Sequence, residues 1–170
     1  MLSIGIIGVS AQSASSNGND LFKGLSFLEG EWSAATVGAA GGANVVGTYT
    51  FRRELKGHVL ARHSSSASCK GPTDFDCDHG DLLYVFVEGP GNDLKAIYLD
   101  NEGHVIHYSV STPTASRAEF LSDPAEPGPQ FRLVYELKDK LMSGKFQMHM
   151  SATKNGDLIW SGAAPKDRLC

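Results

Sequence analysis

Histidine is the side chain most often used to bind transition metals, and this chain has six of them. His58 and His63 lie in one segment with strand-like alternation, at an odd spacing that turns their side chains to opposite faces. His104 and His107 are separated in the same way. Neither pair can therefore chelate one ion from regular strand geometry.

The segment around Cys77 offers another partial zinc motif. Cys77 and His79 are spaced so that their side chains could share one face. A tetrahedral zinc site needs a second pair of this kind, and the sequence has none. We therefore predict no zinc site and, more generally, no metal or other cofactor.

An acidic run in the same segment superficially resembles a calcium-binding loop. The glycine that such a loop needs should follow Asp78, where the chain has His79, and Val85 stands where the bidentate glutamate would be. A solvated acidic loop is the interpretation that we favour, with weak calcium binding as the alternative. The aspartates of this run are Asp74, Asp76, Asp78 and Asp81.

Patterns for covalent catalysis and phosphate binding are missing. The sequence has no G-x-S-x-G motif, and the glycine-rich segment 38–43 has no following helix, so we predict a flexible portal loop there. Acid–base chemistry remains as an alternative, because Arg62, His63, His107 and five tyrosines fall in predicted strands. A buried histidine beside a tyrosine could act as a general base in an isomerase, cyclase or hydratase.

The elements that must position these groups are mostly strands. Residues 20–28 carry apolar side chains at helical spacing, and Asp20 is a suitable N-cap residue for a short helix. After this helix the periodicity changes to two, with turn residues between short runs. The predicted strands are Glu31–Gly38, Asn44–Leu55, His58–Ser68, Asp81–Glu88, Leu94–Leu99, His104–Ser111, Ala115–Leu121, Gln130–Leu137, Met142–Thr153 and Asp157–Ser161.

This pattern predicts an all-β fold, an up-and-down antiparallel β-barrel of about ten strands with a short N-terminal plug helix. Tight turns between sequence neighbours favour a meander over a Greek key. Several strands are apolar on both faces, as in Leu82–Glu88, so one face lines either a core or a dry cavity.

The predicted function is non-enzymatic binding of a small hydrophobic ligand inside the barrel. Arg62 is the most informative polar candidate, since an inner-wall arginine could pair with a ligand carboxylate. The alternatives are that Arg62 pairs with Glu54 or lies outside. The predicted ligand-binding residues are Tyr49, Phe51, Arg62, Tyr84, Phe86, Tyr98, Tyr108, Tyr135, Met148 and Met150.

Composition limits the partners. The net charge is −4 and basic residues do not cluster, which argues against nucleic acid and against anionic membrane surfaces. Nothing in the sequence specifies an oligomeric state. Residues 1–19 are interpreted as a signal-peptide remnant or flexible leader, too short to span a bilayer, and residues 20–170 as the barrel domain. With a possible Cys69–Cys77 disulfide, this predicts a secreted or periplasmic protein, although a reduced cytosolic pair is the alternative.

The segment Phe27–Trp32 follows the predicted helix and places Gly30 before Trp32. It resembles the lipocalin-like (calycin) signature, and the turn in residues 53–60 is similar to that of small bacterial lipocalin-like barrels related to the nitrobindins. The resemblance implies that the helix and Trp32 close one barrel end, with an opening at the other. It also implies a basic side chain across Trp32, for which Arg168 is the late candidate.

Nitrobindins bind haem through a histidine close to the C-terminus. The final strand and tail of this chain have no histidine, and His149 in the preceding strand shares a polar face with Gln147 and Ser151. Haem binding is therefore the third functional hypothesis, after ligand carriage and acid–base catalysis.

Overall fold

The computed structural model describes residues 20–35, 44–70, 77–123, 129–149 and 161–162. One 3₁₀ helix, the plug helix Lys23–Leu28, precedes the first strand, and a 3₁₀ turn at Leu55–Gly57 follows the second. The strands are β1 (Gly30–Ala35), β2 (Asn44–Glu54), β3 (Val59–Lys70), β4 (Asp81–Glu88), β5 (Asp93–Asp100), β6 (Val105–Thr114), β7 (Arg117–Ser122), β8 (Gln130–Lys138), β9 (Leu141–His149) and β10 (Ser161–Gly162).

The ten strands form one sheet in sequence order, and every neighbouring pair is antiparallel. The sheet curls into a nearly closed barrel, which confirms the predicted fold class. Of the predicted last strand, only Ser161 falls within β10, and the rest of it lies outside the described residues. The leader at 1–19 and the predicted portal loop at 38–43 also lie outside them.

The plug helix lies at the barrel end where β2 leads to β3 and β6 leads to β7, which we call the plug end. Leu25 and Leu28 on this helix are completely buried in the core. The Trp32 indole donates a hydrogen bond to the Leu28 carbonyl at 2.7 Å, which ties the helix to β1. The helix packs closely, because a Cβ on Gly24 would lie 2.6 Å from the Thr112 hydroxyl oxygen of β6.

The prediction that Asp20 is the N-cap of this helix is wrong. The residue before the helix is Phe22, and no side chain caps it. The Asp20 carboxylate instead accepts the Phe22 amide at 3.1 Å, in the turn that precedes the helix. The same carboxylate pairs with Arg53 of β2 at 3.0 Å, so its role is to fasten the turn to the barrel wall.

Alternation along the strands defines an inner and an outer face. In β4, Asp81, Leu83 and Val85 are buried, while the residues between them are partly exposed. The pairing register carries the inner face from strand to strand, for example from Leu83 to Tyr98. Phe120 of β7 meets Tyr108 and Tyr135 edge to face, with ring centroids 6.2 and 5.9 Å apart. These rings belong to one hydrophobic cluster in the barrel interior.

Candidate functional site

Arg62 of β3 is the largest completely buried side chain among the described residues, with 1% of its surface exposed. It shares the inner face with Leu60, because the two are separated by one residue of a regular strand. Its guanidinium donates hydrogen bonds to the Asp81 carboxylate and to the Tyr135 hydroxyl. A buried charge needs a partner of opposite charge, and Asp81 supplies it.

Two aromatic rings lie against the same guanidinium. The Arg62 carbon Cζ is 4.9 Å from the ring centroid of Tyr49 and 5.9 Å from that of Tyr98. Both distances are within the range of cation–π attraction. Tyr49 comes from β2 and Tyr98 from β5. These strands flank β3 and β4, which contain the two members of the ion pair.

Asp81 begins β4 at the far end of the barrel, opposite the plug helix. Its side chain has no exposed surface. The Ser64 hydroxyl of β3 lies 3.0 Å from the Asp81 amide and 3.1 Å from its carbonyl, which fixes the backbone beside Arg62. The prediction of a solvated acidic loop is therefore wrong for Asp81, since this carboxylate is the buried counter-ion of Arg62. Asp74 and Asp76 lie outside the described residues.

A chain of polar contacts leads from this ion pair to the rim of the far end. His79 Nε2 lies 3.3 Å from the Tyr98 hydroxyl and 3.7 Å from an Asp81 carboxylate oxygen. The Tyr98 hydroxyl donates to Asp100 at 3.2 Å. His104 Nδ1 lies 2.8 Å from the same Asp100 oxygen. The interior arginine is thus connected to two histidines near the surface.

Asp100 closes the turn between β5 and β6. One of its carboxylate oxygens accepts the backbone amides of Glu102 and His104, at 3.1 and 2.8 Å. Burial raises the pKa of Asp100, but the amide and side-chain hydrogen bonds from His104 outweigh it and hold that pKa below its ordinary value. Asp100 is therefore ionised at neutral pH within the rim.

The structure places six of the predicted binding residues on the inner face. Arg62 contacts Tyr49, Tyr98 and Tyr135 directly. Phe51, opposite Arg62 in the β2–β3 register, is 5.5 Å from the Tyr135 ring, edge to face, and belongs to the buried core. Tyr108 lies in the same core, against Phe120.

The remaining predicted residues are not brought to this cluster. Tyr84 and Phe86 alternate with the buried residues of β4 and so lie on the outer face, where Tyr84 packs against His63 with ring centroids 6.3 Å apart. The β9 register pairs Met148 with Phe131, and the Met148 side chain lies outside the described part of the chain, as does Met150.

The suggestion that Arg62 pairs with Glu54 is wrong. Glu54 lies at the end of β2 and pairs with Arg52 at 2.8 Å and with His63 at 2.9 Å. Hydrogen bonds from Arg52 and His63 lower the pKa of Glu54. Alternation along β3 turns His63 of this outer group to the face opposite Arg62.

Sequence reasoning missed Asp81, His79, Asp100 and Glu102 as parts of one site. The available signal was the start of β4, since a charged residue that begins an otherwise apolar strand is unusual enough to need a partner. The pairing with Arg62 joins β3 to β4 across the segment that contains Cys69 and Cys77. These cysteines form a disulfide with Cα atoms 5.5 Å apart, as the sequence suggested.

The haem and acid–base hypotheses both needed an inward histidine. Among the described side chains, none of the strand histidines lies on the inner face: His63 packs on the outside and His107 is exposed. His149 lies in β9 opposite Gln130, and its side chain is outside the described part, as is Arg168. His79 is the histidine that reaches a tyrosine hydroxyl, and it does so at the rim.

No protein-family model matches this chain, and no curated protein matches it either. In the part of the chain that the structure describes, no helix is long and apolar enough to cross a membrane. The barrel with its plug helix is compatible with a calycin-like fold.

Proposed function

We propose that this protein binds a small hydrophobic ligand with an uncharged polar head group, in the far half of the barrel. The observation that carries the proposal is the Arg62–Asp81 ion pair, completely buried on the inner wall between the rings of Tyr49 and Tyr98. The head group would hydrogen-bond at this pair, and the apolar body would lie against the neighbouring aromatic rings.

Burying two charges is costly, and this cost supports a functional interpretation. The desolvation of each ion costs several kcal/mol, and replacement of a buried pair by apolar residues is often neutral or stabilising. The rest of the inner wall shows that apolar residues fit this barrel well. A role in binding a ligand accounts for an arginine and an aspartate among these apolar residues.

Room for a ligand body is supported by the uneven burial of the inner face. Phe51 and Phe120 near the plug helix are 2% and 0% exposed, whereas Tyr49, Phe131 and Phe146 on the same face are only partly buried. Phe131 and Phe146 stack with ring centroids 5.4 Å apart in the far half of β8 and β9. Apolar walls with a few convergent polar groups are typical of small-molecule sites.

The charge balance favours an uncharged head group over the carboxylate that Arg62 alone suggested. Asp81 already neutralises the guanidinium, and a ligand carboxylate would meet Asp81 as a like charge. A hydroxyl or carbonyl group pays no such penalty. Either group can accept a hydrogen bond from Arg62, and a hydroxyl can also donate one to Asp81, while the pair stays intact.

We also infer that the protein is a carrier or sensor of the calycin kind, exported from the cytoplasm. The plug helix, which is hydrogen-bonded to Trp32, supports a calycin-like carrier. The Cys69–Cys77 disulfide supports export, because such bonds persist in oxidising compartments. A carrier is preferred to an isomerase, cyclase or hydratase because the proposed interior site is centred on an arginine in a neutral pair.

The proposal is tested by titrating the full chain with dodecanol and dodecanoate in a calorimeter. We expect dodecanol to bind more tightly, and the Arg62→Met/Asp81→Leu variant to lose this preference. The matched control is Arg117→Met/Glu119→Leu, which removes a surface ion pair of 2.7 Å on β7 and should bind as wild type does. Equal binding by all three proteins, or no binding to wild type, would overturn the proposal. Mass spectrometry of small molecules that co-purify from the native host would then identify the natural ligand class.

A further inference from the structure

The rim of the far end brings together two histidines and two carboxylates. His79 comes from the segment before β4, and the others come from the last residue of β5 and the turn that follows it. Ligand atoms of His79, Asp100 and Glu102 all lie within 4.8 Å of one another. His104 approaches both carboxylates, with Nδ1 2.8 Å from Asp100 and 3.5 Å from Glu102. The arrangement is distinct from the interior ligand site proposed above and does not depend on it.

The separation between His79 and Glu102 is that of two ligands around one small cation. Zinc lies about 2.0–2.2 Å from nitrogen and oxygen ligands, so tetrahedral ligand atoms are roughly 3.2–3.6 Å apart. His79 Nδ1 is 3.3 Å from one oxygen of Glu102. A carboxylate oxygen of Asp100 lies within 4.8 Å of the ligand atoms of both residues.

The far side of the His79 ring has the partners that a metal-bound histidine needs. With Nδ1 toward Glu102, Nε2 faces the Tyr98 hydroxyl at 3.3 Å and the Asp81 carboxylate at 3.7 Å. A carboxylate behind the imidazole fixes the ring orientation and the tautomer and makes the ligating nitrogen more basic. His79 is also largely buried, with 11% of its side chain exposed, which limits the rotamer freedom lost on binding.

We propose that His79, Asp100 and Glu102 bind one divalent transition-metal cation, with zinc as the best-fitting ion. One imidazole and two carboxylates form a borderline donor set that suits zinc, whereas calcium and magnesium prefer oxygen ligands alone. His104 lies beside both carboxylates and helps to hold them in place. The sequence pattern concealed the site because each histidine was compared with its neighbour along the chain. The ligands come from different connections, which only the β4–β5–β6 pairing brings together.

The test is calorimetric titration of the chelator-treated full chain with zinc chloride, repeated with cobalt chloride while the visible absorption of tetrahedral Co²⁺ is followed. We expect one ion per chain. His79→Ala and Glu102→Gln should each weaken binding by at least about tenfold, since even changes behind the ligands cost about 10–100-fold. His107→Ala, an exposed histidine on the outer face of β6, is the matched control and should bind zinc as wild type does.

Thermal unfolding separates a lost site from a lost fold. Zinc should raise the Tm of wild type and of His107→Ala, because an ion that binds only the folded state stabilises it. It should not raise the Tm of a folded His79→Ala variant. Absence of zinc binding to wild type, or equal binding by the His79 and His107 variants, would overturn the proposal. Dodecanol binding by chelator-treated protein tests the interior site separately, so either proposal can fail alone.

Discussion

The two ends of the barrel are stabilised by different physical means. At the plug end, Leu25 and Leu28 of the helix and the rings of Phe51 and Phe120 are completely or almost completely buried, and the contacts among them are apolar. Toward the far end, the largest buried side chain, Arg62, extends from its position opposite Phe51 to Asp81, and Tyr98 links this pair to the rim. The apolar end needs only shape and hydrophobicity, whereas the charged end needs every partner to be present.

This difference indicates which end contains buried groups that stability alone does not require. Hydrophobic burial contributes about 25 cal/mol per Å² and tolerates substitution by side chains of similar volume. A buried ion pair contributes little net stability but makes each member indispensable to the other. The plug end therefore serves mainly to hold the barrel together, and the far end is where we place both proposed sites.

The largest effect should follow from breaking the ion pair on one side only. Asp81→Asn leaves the Arg62 guanidinium buried without its counter-ion, and we expect the free energy of unfolding to fall by about 3–5 kcal/mol. Urea denaturation followed by circular dichroism measures it.

The matched variant removes both charges. Arg62→Met/Asp81→Leu should unfold within about 1 kcal/mol of wild type or be more stable, because it removes the desolvation cost along with the attraction. If the double variant is as unstable as Asp81→Asn, the pair is a structural requirement and the contrast between the two ends fails.

At the plug end, the loss in free energy of unfolding caused by a substitution should depend only on the side-chain volume that is removed. Phe120→Ala removes a completely buried ring between Tyr108 and Tyr135, and we expect a loss of about 3–5 kcal/mol from the transfer and cavity terms. Leu121→Ala, the next residue along β7 and 36% exposed, should change the free energy of unfolding by less than about 0.5 kcal/mol. Because no charge is uncovered, Phe120→Leu should recover most of the loss. A Phe120→Leu variant as unstable as Phe120→Ala would contradict this interpretation.

Sequence reasoning predicted the plug end better than the far end, and the reason is physical. Local periodicity determines which residues are apolar on one face, so the helix, the strand order and the inner position of Phe51 followed from nearest neighbours along the chain. Register is set by pairing across strands, and it decides that Tyr84 lies outside while Arg62 lies inside.

The partners of charged groups are harder still to predict. Asp81 meets Arg62, and His79 meets Glu102, across turns whose shape depends on the pairing of β3 with β4 and of β5 with β6. Asp20 shows the same limit at the plug end, because helix-capping rules considered only its own segment. Its strongest partner, Arg53, is on β2 and far from it in sequence.

The smallest expected change in stability comes from substitution of Asp20. It tests whether the exposed ion pair at the plug end contributes little to the free energy of unfolding. The hydrogen bond from Arg53 lowers the pKa of Asp20, so the folded chain releases the proton at a lower pH than the unfolded chain does. The resulting stability is complete above the unfolded pKa and is lost as the pH falls through the folded one. Because 41% of the side chain is exposed, solvent screens the pair, and Asp20→Asn should cost no more than about 1 kcal/mol at neutral pH.

The cost of Asp20→Asn should disappear in acid, where wild-type Asp20 is itself neutral, and urea denaturation at several pH values measures this. Asp93→Asn, an exposed aspartate at the start of β5, is the matched control for loss of one surface charge. A penalty for Asp20→Asn that matches the loss from Asp81→Asn, or that persists at low pH, would show that the plug end also depends on a charged contact. The conclusion that only the far end depends on charged contacts would then be wrong.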